Sequence, residues 1–189
     1  MEAISYDSED TSYSLEYDPL HQLTRVVDNS GDEWSYEYDE GNRLTGQSEK
    51  INSIVGTYTV SREYDAVSNL IGIKAGAETT TAYSYNQRDD LTSIDLPGGT
   101  VDEITFSYDK ARKRTKARTP GVISSVRYDQ ASRVTKMINE TLLTTQTFTY
   151  DYDSNGNITT ESDRETSDTV NDTRYGYDGL NRLTDWYNP

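Results

Sequence analysis

The side chains able to do chemistry in this 189-residue chain are almost all carboxylates and hydroxyls. One histidine, His21, and no cysteine are present, which removes thiolate catalysis, disulfide frameworks and thiolate metal sites from consideration. No G-x-S-x-G motif offers His21 a serine to activate, so a structural post is expected for it. With 33 Asp and Glu residues, close carboxylate pairs of the kind used in glycoside hydrolysis arise by chance, and their number alone argues nothing. Residues Asp151, Tyr152, Asp153, Ser154, Asn155 and Gly156 match the opening of a calcium loop. Ser162 nevertheless stands where the bidentate acid is required, and Glu161 falls one place early. Sequons at Asn139, Asn157 and Asn171 follow from a threonine-rich chain.

The strongest local anomaly is basic: Lys110, Arg112, Lys113, Arg114, Lys116 and Arg118 cluster in a chain of net charge −15. At strand spacing Arg114, Lys116 and Arg118 are expected to share one face. With Arg112 they form a candidate patch for an anionic glycan, a nucleic acid or an acidic cargo surface. The competing expectation is cross-strand pairing with the carboxylates of adjacent strands. Nucleic acid is disfavoured because the rest of the surface is negative.

Those residues sit on a repeat. Eight times a tyrosine is followed six positions later by a mostly apolar residue and then usually a threonine. The copies begin at Tyr17, Tyr38, Tyr64, Tyr85, Tyr108, Tyr128, Tyr152 and Tyr177, and their +6 residues are Leu23, Leu44, Leu70, Leu91, Arg114, Val134, Ile158 and Leu183. The offset from tyrosine to +6 is constant, whereas the distance from +6 to the next tyrosine runs from 14 to 20 residues. A rigid turn therefore alternates with a loop that tolerates insertion.

The constant segment has hairpin chemistry. Alternating aromatics precede the turn, as in Tyr36-Glu37-Tyr38 and Tyr150-Asp151-Tyr152. The next position is Asp18, Asp39, Asp65, Asp109, Asp129, Asp153 or Asp178, with Asn86 in the remaining copy, all able to accept backbone N–H bonds within a turn. Position +4 is His21, Asn42, Ser68, Asp89, Arg112, Ser132, Gly156 or Asn181, and we read it as a left-handed turn residue. About sixteen short antiparallel strands follow from this pattern. Burying one Tyr or Leu contributes roughly 1.5–3 kcal/mol while ordering each backbone residue costs about 1–2 kcal/mol, so one unit with three or four apolar anchors cannot stand alone. Stability is expected to be collective along the array.

The copies YDEGNRLT, YDGLNRLT and YDSNGNIT resemble the YD repeat, also called the RHS repeat, over roughly residues 13–187. The family includes bacterial Rhs polymorphic toxins, wall-associated repeat proteins, shell components of insecticidal toxin complexes and teneurins. The resemblance implies an all-β, repetitive antiparallel hairpin meander: an open curved sheet forming part of a larger β-shell. It also implies a non-enzymatic scaffold that encloses or presents a toxin polypeptide in a secreted or cell-surface protein. The implied partners are neighbouring repeats of a longer parent chain and the enclosed toxin. Alternatives are an adhesion or carbohydrate-binding module with a glycan partner and, more weakly, a polysaccharide-active enzyme. The family's DPxG-like core segment is absent and eight repeats are few, so the chain is expected to be part of a larger array.

Apolar residues make up 32% of the chain, and sixteen tyrosines supply surfaces that can pack on one side and stay wet on the other. No cofactor and no membrane span are expected, and the first residues do not form a signal peptide. Residues 1–12 are expected to be a polar N-terminal segment or partial repeat, and 13–189 the array. Variable turns are expected at 28–32, 96–99 and 119–121, and the longest or most mobile loop at 161–173.

Overall fold

A computed structural model describes residues 6–8, 11–78, 80–98, 103–166 and 170–188, and among them there is no helix. Two compact units divide the chain: Met1–Tyr85 with Asp95–Gly99, and Asn86–Ile94 with Thr100–Pro189. The first holds β1 (Tyr6–Ser8), β2 (Thr11–Tyr17), β3 (Leu23–Asp28), β4 (Glu33–Tyr38), β5 (Leu44–Lys50), β6 (Thr57–Tyr64), β7 (Leu70–Ala75) and β8 (Thr81–Tyr85). The second holds β9 (Leu91–Asp95, all but its last residue), β10 (Glu103–Tyr108), β11 (Arg114–Thr119), β12 (Val122–Tyr128) and β13 (Val134–Glu140). It continues with β14 (Thr145–Tyr152), β15 (Ile158–Glu165), β16 (Val170–Tyr177) and β17 (Leu183–Tyr187).

Within each unit the strands follow chain order. Antiparallel pairing runs from β1 through β8 in the first unit and from β10 through β17 in the second, where β9 is bonded to β10. The hairpin meander implied by the repeat is thus the observed fold.

Because residues paired in register point the same way, the register sorts each unit into two unlike faces. One is aromatic: Leu15, Val26, Trp34, Glu49 and Tyr58 form a row across β2 to β6, and the Trp34 indole N–H donates to Glu49 at 2.9 Å. In the second unit Val126, Met137, Phe148 and Asp163 form the corresponding row. The other face is small and polar, as in the row Glu16, Arg25, Ser35, Ser48 and Thr59, where Arg25 is clamped between Glu16 at 2.9 Å and Glu33 at 2.8 Å.

Neither face is covered within its unit. Among the described residues no apolar side chain is buried, and the one buried polar side chain is Asp90, at 7% exposure. Two-layer domains gain stability by pressing an apolar face against another element. Here lateral contacts between strands carry that role.

Two expectations about the connections change. The stretch 161–173 is not a long loop: Glu161–Glu165 ends β15 and Val170–Thr173 begins β16, with residues 167–169 outside the described set. Its polarity reflects strands wet on both faces rather than missing structure. Residues 28–32 are more regular than a variable loop, because Asp28 repeats the constant turn at the opposite end of the hairpin. Its N–H donates to Asp32 O, its carboxylate accepts the N–H groups of Ser30 and Asp32, and Gly31 takes φ 81°. The two-residue turn Pro120–Gly121, with Gly121 at φ 83°, lies where a tight variable turn was expected.

Position +4 is left-handed in all eight copies, with φ from 59° at Asp89 to 93° at Gly156. Gly156→Val should therefore lower stability by about 1–2 kcal/mol, the cost of left-handed backbone in a non-glycine residue. A urea titration should show the midpoint falling for Gly156→Val and staying close to the parent for Gly156→Asn.

Candidate functional site

The constant turn closes on itself by three sets of bonds. In every copy the +1 N–H donates to the +5 carbonyl at 2.9–3.0 Å, and the +4 N–H donates to the +1 carbonyl at 2.9–3.2 Å. The +1 side chain then accepts the +5 N–H in all eight copies. Backbone N–H groups with no strand partner are thereby satisfied by one short Asp or Asn side chain. The N–H groups of Arg43, Arg133 and Arg182 accordingly hold the carboxyls of Asp39, Asp129 and Asp178 below the ordinary range, and the Asn157 side chain does the same for Asp153. Asp153, the centre of the calcium-like run, thus spends its carboxylate on Asn155 and Asn157. Among the described residues no group of three or more His, Cys, Asp or Glu side chains is placed to hold a metal ion.

After the turn each hairpin within a unit contains a bulge. Tyr17 pairs with Leu23 but Glu16 pairs with Arg25, leaving Thr24 as the extra residue, and the same shift recurs at Tyr38, Tyr64, Tyr108, Tyr128, Tyr152 and Tyr177. This explains the threonine that follows +6. The hydroxyls of Thr24, Thr45, Thr115 and Thr135 donate to the carbonyl one residue before the signature tyrosine, at 3.2–3.4 Å.

The bulge also leaves a vacancy in the ladder to the next repeat. Pairing of β3 with β4 begins at Arg25, two residues beyond Leu23, so the Leu23 carbonyl has no strand partner on that side. Tyr38 fills the gap by donating its hydroxyl to that carbonyl at 3.0 Å. Tyr64 does the same to Leu44 at 3.1 Å, Tyr85 to Leu70 at 2.9 Å and Tyr108 to Leu91 at 2.8 Å. Tyr128 reaches Arg114 at 3.0 Å and Tyr152 reaches Val134 at 2.6 Å. Tyr38, Tyr64, Tyr108, Tyr128 and Tyr152 each therefore serve their own hairpin by standing opposite its +6 residue and the preceding hairpin through the hydroxyl.

The +5 side chain adds a third tie. Arg43 binds Asp39 at 2.7 Å, reaches forward to the Asp65 carbonyl at 2.9 Å and lies 4.9 Å over the Tyr64 ring. Arg133 repeats this on Asp129, Asp153 and Tyr152, with the ring 4.5 Å away. Copy four inverts the pair. Asn86 takes the +1 place and Asp90 the +5 place, so the buried carboxylate accepts from Asn86 at 3.1 Å, Arg88 at 3.2 Å and Arg112 at 2.6 Å.

The basic run comes apart in this geometry. Arg112 is the left-handed turn residue and is committed to Asp90. The bulge rotates Arg114 onto the aromatic face, opposite Tyr108 and 5.7 Å from the Phe106 ring, while Lys116 opposes Ser107 and Arg118 opposes Thr105 on the polar face. The expected single face of Arg114, Lys116 and Arg118 is corrected: strict alternation fails where Thr115 is inserted. Carboxylate pairing of Lys116 and Arg118 is not found among the described residues either, since Thr105, Ser107, Ser125 and Ile123 stand across from them.

Tyr152→Phe should cost about 0.5–1.5 kcal/mol, the net value of one hydrogen bond. Tyr152→Ala with Ile158→Ala should cost several kcal/mol, at roughly 2–5 for each well-buried large-to-small change, with the half-exposed sheet placing it toward the low end. Thermal melts of the two variants separate hydroxyl from packing. Acid should also weaken the fold. Carboxyls whose folded values lie below the unfolded value of about 3.9 contribute stability that is present above that value and lost as pH falls through the folded ones. Urea midpoints between neutral pH and strong acid should decline, and less steeply for Asp39→Asn with Asp129→Asn.

Comparison with known proteins agrees with this construction. Residues 17–49, covering the first two copies, match the family model described as RHS Repeat. No curated protein matches the chain. Among solved structures the chain is similar to the crystal structure of TcdB2-TccC3-TEV, with TM-score 0.73 and 18% identity over 93% of this chain and 10% of that one. It is equally similar to TcdB2-TccC3 without hypervariable C-terminal region, at TM-score 0.73 and 18% identity over 94% and 10% of the respective chains. The structure of TcdB2-TccC3-Cdc42 gives TM-score 0.72 and 16% identity over 93% and 10%. This chain thus spans about a tenth of the length of each of those chains, and at these identities the likeness establishes the fold. Residues 17–49 thus match the RHS Repeat model, and the turns, bulges and tyrosine bonds seen there recur in the other copies.

Proposed function

We propose that this chain is a stretch of wall: a non-enzymatic YD-repeat scaffold that encloses or presents a toxin polypeptide in a secreted or surface protein. The observation that carries the reading is a sheet with two unlike faces and, among the described residues, no buried apolar side chain. A binding or catalytic domain normally holds its reactive groups on a packed core. Here the residues are spent on joining each hairpin to the next, as a barrier requires. The shared fold with TcdB2-TccC3 structures supports the same reading. Neighbouring repeats and the enclosed polypeptide are the partners it implies.

Protease protection of the complete gene product tests this. A polypeptide enclosed by the array should resist trypsin until the temperature reaches the melt of the repeats, then be cut together with them. Cleavage at the same rate as the isolated polypeptide, well below that melt, would overturn the enclosing role. Turnover of a defined polysaccharide by the purified chain would overturn the non-enzymatic one.

A further inference from the structure

The polar face of the second unit carries a concentration of charge that the repeat does not require. Lys116 and Arg118 point to this face from β11, Arg127 from β12 and Lys136 from β13, because Lys116 opposes Ser125, Arg118 opposes Ile123 and Arg127 opposes Lys136 in register. Arg127 and Lys136 are like charges directly across from one another, an arrangement that repels. Among the described residues none of the four enters an ion pair, whereas Arg25, Arg43, Arg112, Arg133 and Arg182 all do. Apart from the Arg127–Lys136 pair itself, their in-register neighbours are neutral: Thr105, Ser107, Ser125, Ile123 and Thr149. The one carboxylate in these rows on β11 to β13 is Glu140, in register with Ile123 and one strand removed from Arg118. Four cations outside any ion pair on three adjacent strands make a local positive patch in a chain of net charge −15, complementary to a negatively charged partner.

The chemistry of that source follows from what surrounds the cations. The aromatic rings of this region, Phe106, Tyr108 and Tyr128, belong to the opposite face, so the polar face of β10 to β13 has no platform on which a sugar ring or a base could stack. Hydroxyls of serine and threonine lie between the charges instead. Lys116 and Arg118, two residues apart, are separated by roughly 6.8 Å, which is also the spacing of alternate side chains on an extended peptide. At physiological salt the screening length is about 8 Å, so the patch acts locally despite the negative remainder of the chain.

We infer that the polar face of β11 to β13 is a docking surface for an acidic, extended polypeptide segment, held by Lys116, Arg118, Arg127 and Lys136. The inference holds whether that segment belongs to an enclosed cargo or to another protein, so loss of the protease protection described above leaves it standing.

Fluorescence anisotropy on the full chain tests it with a labelled peptide of about nine residues carrying Glu at alternate positions. Comparators are the same peptide with Gln for Glu, a sulfated oligosaccharide and a short oligothymidylate. The acidic peptide should bind most tightly and weaken as salt rises. Affinity should fall about tenfold or more in Lys116→Glu with Arg127→Glu, and also in the neutral pair Arg127→Ser with Lys136→Ser, which keeps the result readable if charge reversal impairs folding. Lys74→Glu, on the polar face of β7, should leave binding unchanged. Relief of the like-charge pair should leave the melting temperature of the neutral variant equal to or above that of the parent. Absence of peptide binding, equal binding of the Gln peptide, undiminished affinity in both variant pairs, or tighter binding of the saccharide or oligonucleotide would each overturn the assignment.

Discussion

A tyrosine hydroxyl donated to the carbonyl of the preceding repeat is the bond on which this architecture rests. In a layered domain an imperfect strand contact is tolerated because a core lies beneath it. No such reserve exists here among the described residues, so the stability of one hairpin depends on how it is joined to the next. Beyond each bulge the main-chain ladder to the next repeat starts two residues inside the strand, and the tyrosine of the following repeat reaches across to the acceptor left over, as Tyr38 does for Leu23. The same ring packs on its own +6 partner. Loss of the phenol therefore loosens two hairpins at once.

The turn and the junction divide the work between neighbouring side chains. The +1 acid points inward and satisfies the backbone of its own turn, which is why a short side chain is needed there. At Arg43, Lys113, Arg133 and Asn157 the +5 side chain reaches toward the next repeat. A guanidinium suits that position because its several donors serve the turn acid and the next repeat's carbonyl together, and its plane covers the next tyrosine ring, as Arg43 and Arg133 show. Lys113 reaches Ser132 and the Tyr128 ring, and Asn157 reaches Asn181, each making a reduced version of the same junction.

Much of this was legible from residue spacing. The constant offset of six marked a rigid turn, the mixture of His, Asn, Ser, Asp, Arg and Gly at +4 marked left-handed backbone, and alternating aromatics marked the strands. The role of the threonine was not legible, because its hydroxyl bonds to a carbonyl eight residues earlier only if a bulge intervenes. That bulge also defeated the alternation argument at Arg114: one inserted residue moves a side chain to the opposite face, and spacing alone does not show the insertion. Arg127 and Lys136 were missed for a related reason. They lie far from Lys116 in sequence and join it only through the register of three strands. At 161–173 polarity was misleading, since strands in a single layer need not alternate between wet and dry.

The inverted pair Asn86 and Asp90 makes one repeat dependent on the identity of its successor. Most junctions here use a generic partner, a backbone carbonyl of the adjacent repeat, so one copy could follow another in many orders. Asp90 instead draws on Arg112, a side chain that belongs to copy five. With any other copy as its successor, Asp90 would meet His21, Asn42, Ser68, Ser132, Gly156 or Asn181 at the corresponding place, none of them a guanidinium, and would keep Asn86 and Arg88. Copies four and five are therefore matched to each other, and the order of the array is constrained at that point.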